Sequence, residues 1–385
     1  MKHQDLFHFD STLSEDEILT RDSVKRWVAE RFLPIIRDHH RKATFPVELA
    51  QELGELGVFG ANIDGYGCAG LNNVSYGLIM QELERGDSGL RSFASVQGSL
   101  VMYPILTYGS KELKGKWLPK LATGEKVGCF GLTEPDHGSD PGSMKTRATK
   151  DGDHWVLNGA KMWITNGSIA DVALVWAKDD LGEVRGFLVE KGTEGFSAPD
   201  MKGKFSLRAS ITSELILDEV RIPDTNRLDV LGLKGPLSCL TQARYGIAWG
   251  AIGAAFACFE SSLEYSKTRH QFGKPIASFQ LIQAKLTDMF NEITKAQLLA
   301  LHLGRLKDNG KSTFSQVSLA KMNNVAMALE VARQSRDLHG ANGITDEYPV
   351  IRHMLNLESV KTYEGTHDIH KLIVGQALTG IAAFT

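Results

Sequence analysis

Val127-Gly128-Cys129-Phe130, His154-Trp155-Val156-Leu157, Ala173-Leu174-Val175-Trp176 and Gly186-Phe187-Leu188-Val189 are short runs rich in β-branched and aromatic residues. Asn158-Gly159 and Asp180-Leu181-Gly182 punctuate them as turns. Residues 214–223 alternate apolar and polar side chains before the stop at Pro223. Together they predict a small antiparallel sheet domain over residues 124–238, set between two helical regions. Upstream, residues 1–123 carry a helical pattern. Ser14 with Glu17 three residues on fits a capping box, and Leu49, Leu53 and Leu56 repeat at helical spacing behind Pro46. Residues 65–73 form a glycine- and asparagine-bearing loop, after which 74–85 and 95–108 resume the period. Downstream, in residues 239–385, four long apolar-periodic stretches (240–268, 276–307, 313–341 and 365–383) predict an antiparallel four-helix bundle. The expected class is therefore α+β, mostly α, in three domains.

The composition agrees with a folded chain of that size. At 385 residues, one ordinary core is too small a container. Apolar residues make up 42% and charged residues 23%, which excludes a disordered chain. A net charge of −3, with Lys and Arg dispersed, gives no stripe for a polyanion, so no nucleic-acid partner is expected. Cys68, Cys129, Cys239 and Cys258 form no Cys-x-x-Cys pair, which argues against a zinc ribbon or disulfide scaffold and fits a reducing compartment. The start, Met1-Lys2-His3-Gln4-Asp5, is polar. The apolar run 245–259 falls short of the roughly 18 residues of a spanning helix, so the expectation is a cytoplasmic protein with no membrane partner. There is no internal repeat.

Several segments can carry chemistry. Thr362-Tyr363-Glu364-Gly365-Thr366-His367-Asp368 sets a carboxylate in a glycine-containing bend. Kept from full hydration by apolar neighbours, a carboxylate becomes more basic and suits abstraction of a carbon-bound proton. Read alone, it is more often a solvated loop glutamate. Phe130-Gly131-Leu132-Thr133-Glu134-Pro135, with Gly138-Ser139-Asp140, follows a predicted strand. Its hydroxyls and N–H groups can bond the polar edge of a flat heterocycle, or merely cap an inter-strand loop. Trp163-Ile164-Thr165 places a large ring two residues before a hydroxyl on one strand face, which in most proteins is a core tryptophan. Arg269-His270-Gln271-Phe272-Gly273 follows a long helix, where arginine also answers the C-terminal dipole. Asp337-Leu338-His339-Gly340-Ala341-Asn342-Gly343 can be a helix C-cap. The Gly-x-Gly-x-x-Gly fingerprint is absent, which disfavours a Rossmann-bound nicotinamide. His367 and His370 can share a helix face but lack a third ligand nearby, so no metal is expected.

In this order, the segments resemble the acyl-CoA dehydrogenase family of flavoproteins over almost the whole chain. The resemblance implies FAD as cofactor. Phe130, Leu132, Thr133, Gly138 and Ser139 would lie along the flavin pyrimidine edge and pyrophosphate, with Ser139 also touching the acyl-CoA. Trp163, Ile164 and Thr165 would pack the flavin ring and hydrogen-bond its N5. Arg269, with Gln271, Phe272 and Gln280, would serve the pyrophosphate, for which arginine's rigid fork of donors is suited. Asp337, Gly340 and Gly343 would approach the adenosine part across a dimer interface; Ala341 stands where the family more often has a second glycine. Thr366 and Asp368 complete the cofactor set.

For the substrate, Glu84 and, seven residues on, Arg91-Ser92 resemble the members of the family that act on glutaryl-CoA, as does the run from Ser95 to Met102. An arginine at a helix end is otherwise an ordinary exposed one. Buried, it would meet the distal carboxylate and select a dicarboxylic acyl group. Leu240 and Arg244 fit the helix beside the CoA arm, and Tyr363, Gly365 and Phe384 complete the acyl pocket. The implied chemistry has two stages. Glu364 removes the α-proton while a hydride leaves the β-carbon for flavin N5, and the thioester carbonyl is held by the Glu364 N–H and a flavin ribityl hydroxyl. The glutaconyl intermediate then loses CO2, and Glu364 returns the proton to give crotonyl-CoA. Likeness to the family also implies an electron-transfer flavoprotein as acceptor and a homotetramer, a dimer of dimers. Three other readings stay open: a non-decarboxylating glutaryl-CoA or short-chain acyl-CoA dehydrogenase, an oxidase, and a catalytically silent flavin-binding assembly protein.

Overall fold

A computed structural model describes residues 5–383. The N-terminal region is helical: α1 (Glu15–Trp27), α2 (Leu33–Lys42), α3 (Ala50–Glu55), α4 (Asn73–Gly86), α5 (Ser88–Ser95), α6 (Tyr103–Tyr108) and α7 (Lys111–Ala122). The Ser14–Glu17 capping box is present, each side chain accepting from the other residue's N–H. Glu17 also takes a bond from Asn72 at 2.9 Å and the guanidinium of Arg305, so the first cap is tied to the loop and to the far bundle. Every residue from Val74 to Met102 is buried. Such a stretch has no polar face to show solvent, which is why its charged side chains must find partners inside.

The middle region is a seven-stranded sheet: β1 (Gly128–Gly131), β2 (Arg147–Asp151), β3 (His154–Thr165), β4 (Val172–Lys178), β5 (Val184–Glu190), β6 (Phe196–Ser197) and β7 (Thr212–Pro223). The order is β1-β4-β2-β3-β7-β6, with β5 paired to β4. Here the expectation of a wholly antiparallel sheet is corrected. β4 runs parallel to β1, with Gly128 opposite Val172, and parallel to β2, with Arg147 opposite Lys178. The physical reason is visible in the strand itself. Val172-Ala173-Leu174-Val175-Trp176-Ala177 is buried throughout, the near-continuous apolar run of a strand covered on both faces. β2 escaped the sequence reading because only Ala148 of its residues is buried.

The C-terminal region holds α8 (Lys234–Thr268), α9 (Gln280–Asp308), α10 (Phe314–Leu338), α11 (Val350–Thr362) and α12 (His367–Thr379), with a small hairpin, His270–Gln271 against Lys274–Pro275, after α8. Four of these helices follow the predicted segments, and α11 is an addition to the expected four. Its buried face is mixed: Arg352, His353 and Asn356 lie inside among Val350, Leu357 and Val360 and interrupt the apolar period. Arg352 and Asn356 both donate to the buried Asp87 carboxylate, at 2.5 and 2.8 Å. α8 is longer and more apolar than the sequence reading allowed. It is long enough to cross a membrane by length and composition, but 78% of its most apolar window is buried inside the protein. It packs against α4 and α10 as the central helix of the core. Helix, sheet, helix is the order observed.

Candidate active site

α11 and α12 are joined by four residues, Tyr363 to Thr366, and this joint carries the predicted base. Thr366 caps α12 by accepting from the Ile369 N–H at 3.2 Å. Glu364 has φ +54° and Gly365 φ +94°. A glutamate in the left-handed region is strained and persists only where its surroundings hold it. They do. Lys321 of α10 donates to the carbonyls of Tyr363 (3.0 Å) and Gly365 (2.9 Å), and Arg244 of α8 donates from Nε to the carbonyl of Glu364 (2.7 Å). Glycine at 365 is required by space as well as by φ. A Cβ there would stand 3.0 Å from His370 Nε2 and 3.1 Å from Arg244 Nη2. The half-buried Glu364 keeps Oε2 without a partner. Its pKa is raised from the ordinary carboxylate value by burial, against the pull of Arg91, Lys321 and Arg244 and with a further push from Glu84.

Arg91 lies within the buried α5, fully hidden, and so is not the exposed helix-end arginine that was the alternative. Its Nε donates to Glu84 Oε2 at 2.7 Å, its Nη2 donates to the Tyr363 hydroxyl, and the Ser92 hydroxyl lies 3.3 Å from that same oxygen. Ser88 donates to the other Glu84 oxygen at 2.8 Å. Burial alone would push the Arg91 pKa down, but Glu84, Tyr363 and Glu364 hold it above its ordinary value, so the side chain stays cationic. Arg91 Nη1 and Ser95 Oγ are buried and without a hydrogen-bond partner. A buried donor left unpaired costs free energy, unless something else occupies it. Gly250 of α8 makes room for the pair: a Cβ there would sit 2.0 Å from Glu84 Oε2.

The loop after β1 is anchored from beneath. Glu134 accepts from the N–H groups of Lys145 (2.6 Å) and Thr146 (2.9 Å), from the Thr146 hydroxyl (2.6 Å) and from Lys161 (2.9 Å). Desolvation would raise the Glu134 pKa, but these donors bring it down to about 2, and burial lowers that of Lys161 to about 8. With Glu134 turned in, Gly138, Ser139 and Asp140 stand exposed, while Phe130 and Leu132 are buried below them. The Met162 N–H donates to the Thr133 carbonyl at 2.9 Å, so the loop adjoins β3. There β3 bulges between Lys161 and Ile164, and Trp163 adopts φ +64° with its ring 57% exposed. An exposed indole beside an open polar loop fits a flat heterocycle. The Ile164 side chain is buried in the sheet core, so it is the backbone of Ile164 that can face a ligand.

The remaining predicted residues spread out. Leu240 is buried on α8, beside Arg244. Arg269 at the end of α8, Gln271 and Phe272 of the hairpin and Gln280 at the start of α9 are exposed, Phe272 by 92%. Asp337 pairs with Lys285, Gly340 is exposed and Gly343 is buried. Asp368 is exposed, 3.2 Å from Lys371, and Phe384 lies outside the described residues. Sequence reasoning missed Lys321 and Gly250. A signal for Lys321 existed: it interrupts the buried stripe of Val317, Asn324, Val325 and Ala328 on α10.

Comparison with known proteins identifies the family. The acyl-CoA dehydrogenase N-terminal, middle and C-terminal domain families match residues 14–125, 129–220 and 231–379. The short-chain specific acyl-CoA dehydrogenase of Bos taurus mitochondria is 34% identical over 369 residues, 94% of this chain and 90% of its own. A crystal structure of glutaryl-CoA dehydrogenase from Mycobacterium smegmatis is 57% identical with a TM-score of 0.97, covering 99% of both chains. A second from that organism, in complex with FADH2, is 54% identical with a TM-score of 0.97, covering 99% of this chain and 98% of that one. Three family domains in order, on a fold shared nearly end to end, leave one assignment: the chain belongs to the acyl-CoA dehydrogenase family.

Proposed function

We propose that this enzyme oxidises and decarboxylates glutaryl-CoA to crotonyl-CoA and CO2. The observation that carries the substrate is Arg91. It is buried, paired with Glu84 and in contact with Tyr363, next to the base, yet its Nη1 has no protein partner. A carboxylate at the far end of the acyl chain is the group that satisfies a buried guanidinium N–H; a fatty chain would leave it unpaired. Likeness to the two Mycobacterium smegmatis structures supports the same reading.

FAD fits the exposed Trp163 ring and the loop of Thr133, Gly138 and Ser139 beside it, and when bound it supplies the acceptor for the hydride leaving the β-carbon. Glu364 takes the α-proton, which its raised basicity favours. The Glu364 N–H, engaged by no hydrogen bond among the described residues, is available to the thioester oxygen as negative charge grows there. Arg91 fixes the far carboxylate until it departs as CO2, and Glu364 holds the proton that returns to the remaining carbon. Ser92 and Tyr363 close the pocket around that end. We further propose that electrons pass to an electron-transfer flavoprotein and that the enzyme is a homotetramer. The solvent-facing Arg269, Gln271 and Phe272 would then complete a cofactor site on a second subunit.

Anaerobic mixing of the flavin-loaded protein with glutaryl-CoA tests the reading. Flavin bleaching with crotonyl-CoA as the product mass is the expected result. Accumulation of glutaconyl-CoA would make the enzyme a non-decarboxylating relative, and absence of bleaching would reject the substrate.

A further inference from the structure

Lys321 is one of the largest fully buried side chains in the protein and stands on the buried face of α10, among Val317, Asn324 and Val325. A lysine in such a place needs a reason. Its ammonium nitrogen forms no ion-pair contact with a carboxylate among the described residues. It donates instead to two backbone carbonyls, those of Tyr363 and Gly365, which bracket Glu364. The carbonyl between them, that of Glu364 itself, is taken by Arg244 from α8. Three successive carbonyls of one joint are thus drawn toward the bundle interior.

The consequence follows from peptide geometry. Every peptide bond among the described residues is trans, so a carbonyl and the next residue's N–H point in opposite directions. With the Tyr363 carbonyl held by Lys321, the Glu364 N–H must point away from α10. We propose that Lys321 is the positioning residue of the active site: by holding the carbonyls on both sides of Glu364, it fixes the base in its left-handed conformation and presents the Glu364 N–H to the thioester carbonyl. One buried amine thereby sets two elements of the chemistry, the proton acceptor and the oxyanion donor. Hydrogen bonding alone achieves this, since an amine with or without its extra proton donates to both carbonyls. The groups around it are mostly cationic or neutral: Arg244 from α8, Arg91 from α5, and His370 from α12, whose ring burial, Lys321 and Arg244 keep neutral with a pKa of about 3. Glu364 is the one anion among them. Burial lowers the Lys321 pKa to about 7, as expected for a lysine held for its donors.

This inference rests on the acyl-CoA reading but not on glutaryl-CoA, so acetyl-CoA and free CoA serve as probes. Acetyl-CoA carries the thioester carbonyl and has no β-carbon to oxidise; CoA lacks the carbonyl. Both are titrated by calorimetry into flavin-loaded wild type and Lys321→Met. Loss of one positioned hydrogen bond should weaken acetyl-CoA about 10-fold, while CoA changes less than about twofold. Lys321→Gln, which keeps an N–H donor, should recover part of the acetyl-CoA affinity, and it carries the test if the Met variant does not fold. Equal losses for both ligands, or no loss for either, would reduce Lys321 to a structural residue and overturn the proposal. Wild type that binds acetyl-CoA yet fails to bleach with glutaryl-CoA would instead reject the substrate assignment alone.

Discussion

Arg91 and Tyr363 stand 272 residues apart in sequence and meet in one buried contact, Nη2 on the phenolic oxygen, with the guanidinium carbon 5.5 Å from the ring centroid. The Arg91 guanidinium and the residue before Glu364 are therefore locked together. Changes at either should appear in substrate choice before they appear in folding.

Arg91→Ala should separate two substrates. Leaving a buried carboxylate without its partner typically costs about 3–5 kcal/mol, so glutaryl-CoA turnover should fall by roughly a few hundred-fold or more. Butyryl-CoA, with no distal charge, should suffer little or improve. Steady-state kcat/KM for both substrates checks this, and equal losses would make Arg91 a structural residue.

Glu364→Gln should keep flavin and still bind acyl-CoA, but reduce the flavin at least ~10³-fold more slowly, on the order of 4 kcal/mol of transition-state stabilisation. Stopped-flow bleaching is the measurement. Near-normal rates would remove Glu364 from its role.

The same variant makes a prediction about stability and pH. The Glu364 pKa in the fold stands above its ordinary 4.5 because of burial. A carboxyl shifted this way contributes its stability fully below the unfolded value and loses it as pH rises through the folded one. Wild type and Glu364→Gln should therefore melt alike near about pH 4, and the Gln variant should melt higher toward about pH 7. Thermal melts across that range decide it; a constant difference in Tm would contradict the buried-charge account.

Gly250→Ala should act at a distance from any ligand. Its Cβ would press on Glu84 Oε2 at 2.0 Å, inside a pair with no exposed side. Overpacking of this kind costs about 1–3 kcal/mol, visible as a lower denaturation midpoint. With Glu84 displaced, Arg91 loses its anchor, so KM for glutaryl-CoA should rise while butyryl-CoA changes less.

Arg269→Ala should weaken flavin retention and subunit assembly together if the exposed hairpin completes a neighbour's cofactor site. Size-exclusion chromatography with flavin absorbance reports both. A monomer holding flavin at full occupancy would rule the shared site out.

Much of this was legible in the sequence because the informative features were local. The capping box at Ser14 and the glycine after Glu364 each announce a backbone geometry within a few residues. Asn158-Gly159, expected as a turn, is corrected: it lies inside β3, where the strand takes up the irregularity as a bulge against β7 and runs on. The Glu84 to Arg91 spacing was visible for the same reason: seven residues separate them, across the extended Asp87 that breaks α4 from α5. What stayed hidden depends on the third dimension. The parallel pairing of β4 is fixed by strands far apart in sequence, and in α11 three buried polar side chains interrupt the apolar period. The bulge between Lys161 and Ile164 that turns Trp163 outward was equally hidden. Lys321 breaks a buried stripe of α10, but its task depends on the carbonyls of Tyr363 and Gly365, which sequence cannot place beside it.

The site also constrains when it can exist. Glu84 and Arg91 come from the first helical region, whereas Tyr363, Glu364 and Gly365 come near the end of the chain. A chain still emerging from the ribosome has the arginine and lacks the base until the last helices are made and docked. Substrate can thus stabilise only the finished molecule and cannot guide its assembly, since a ligand favours only states that already contain its site.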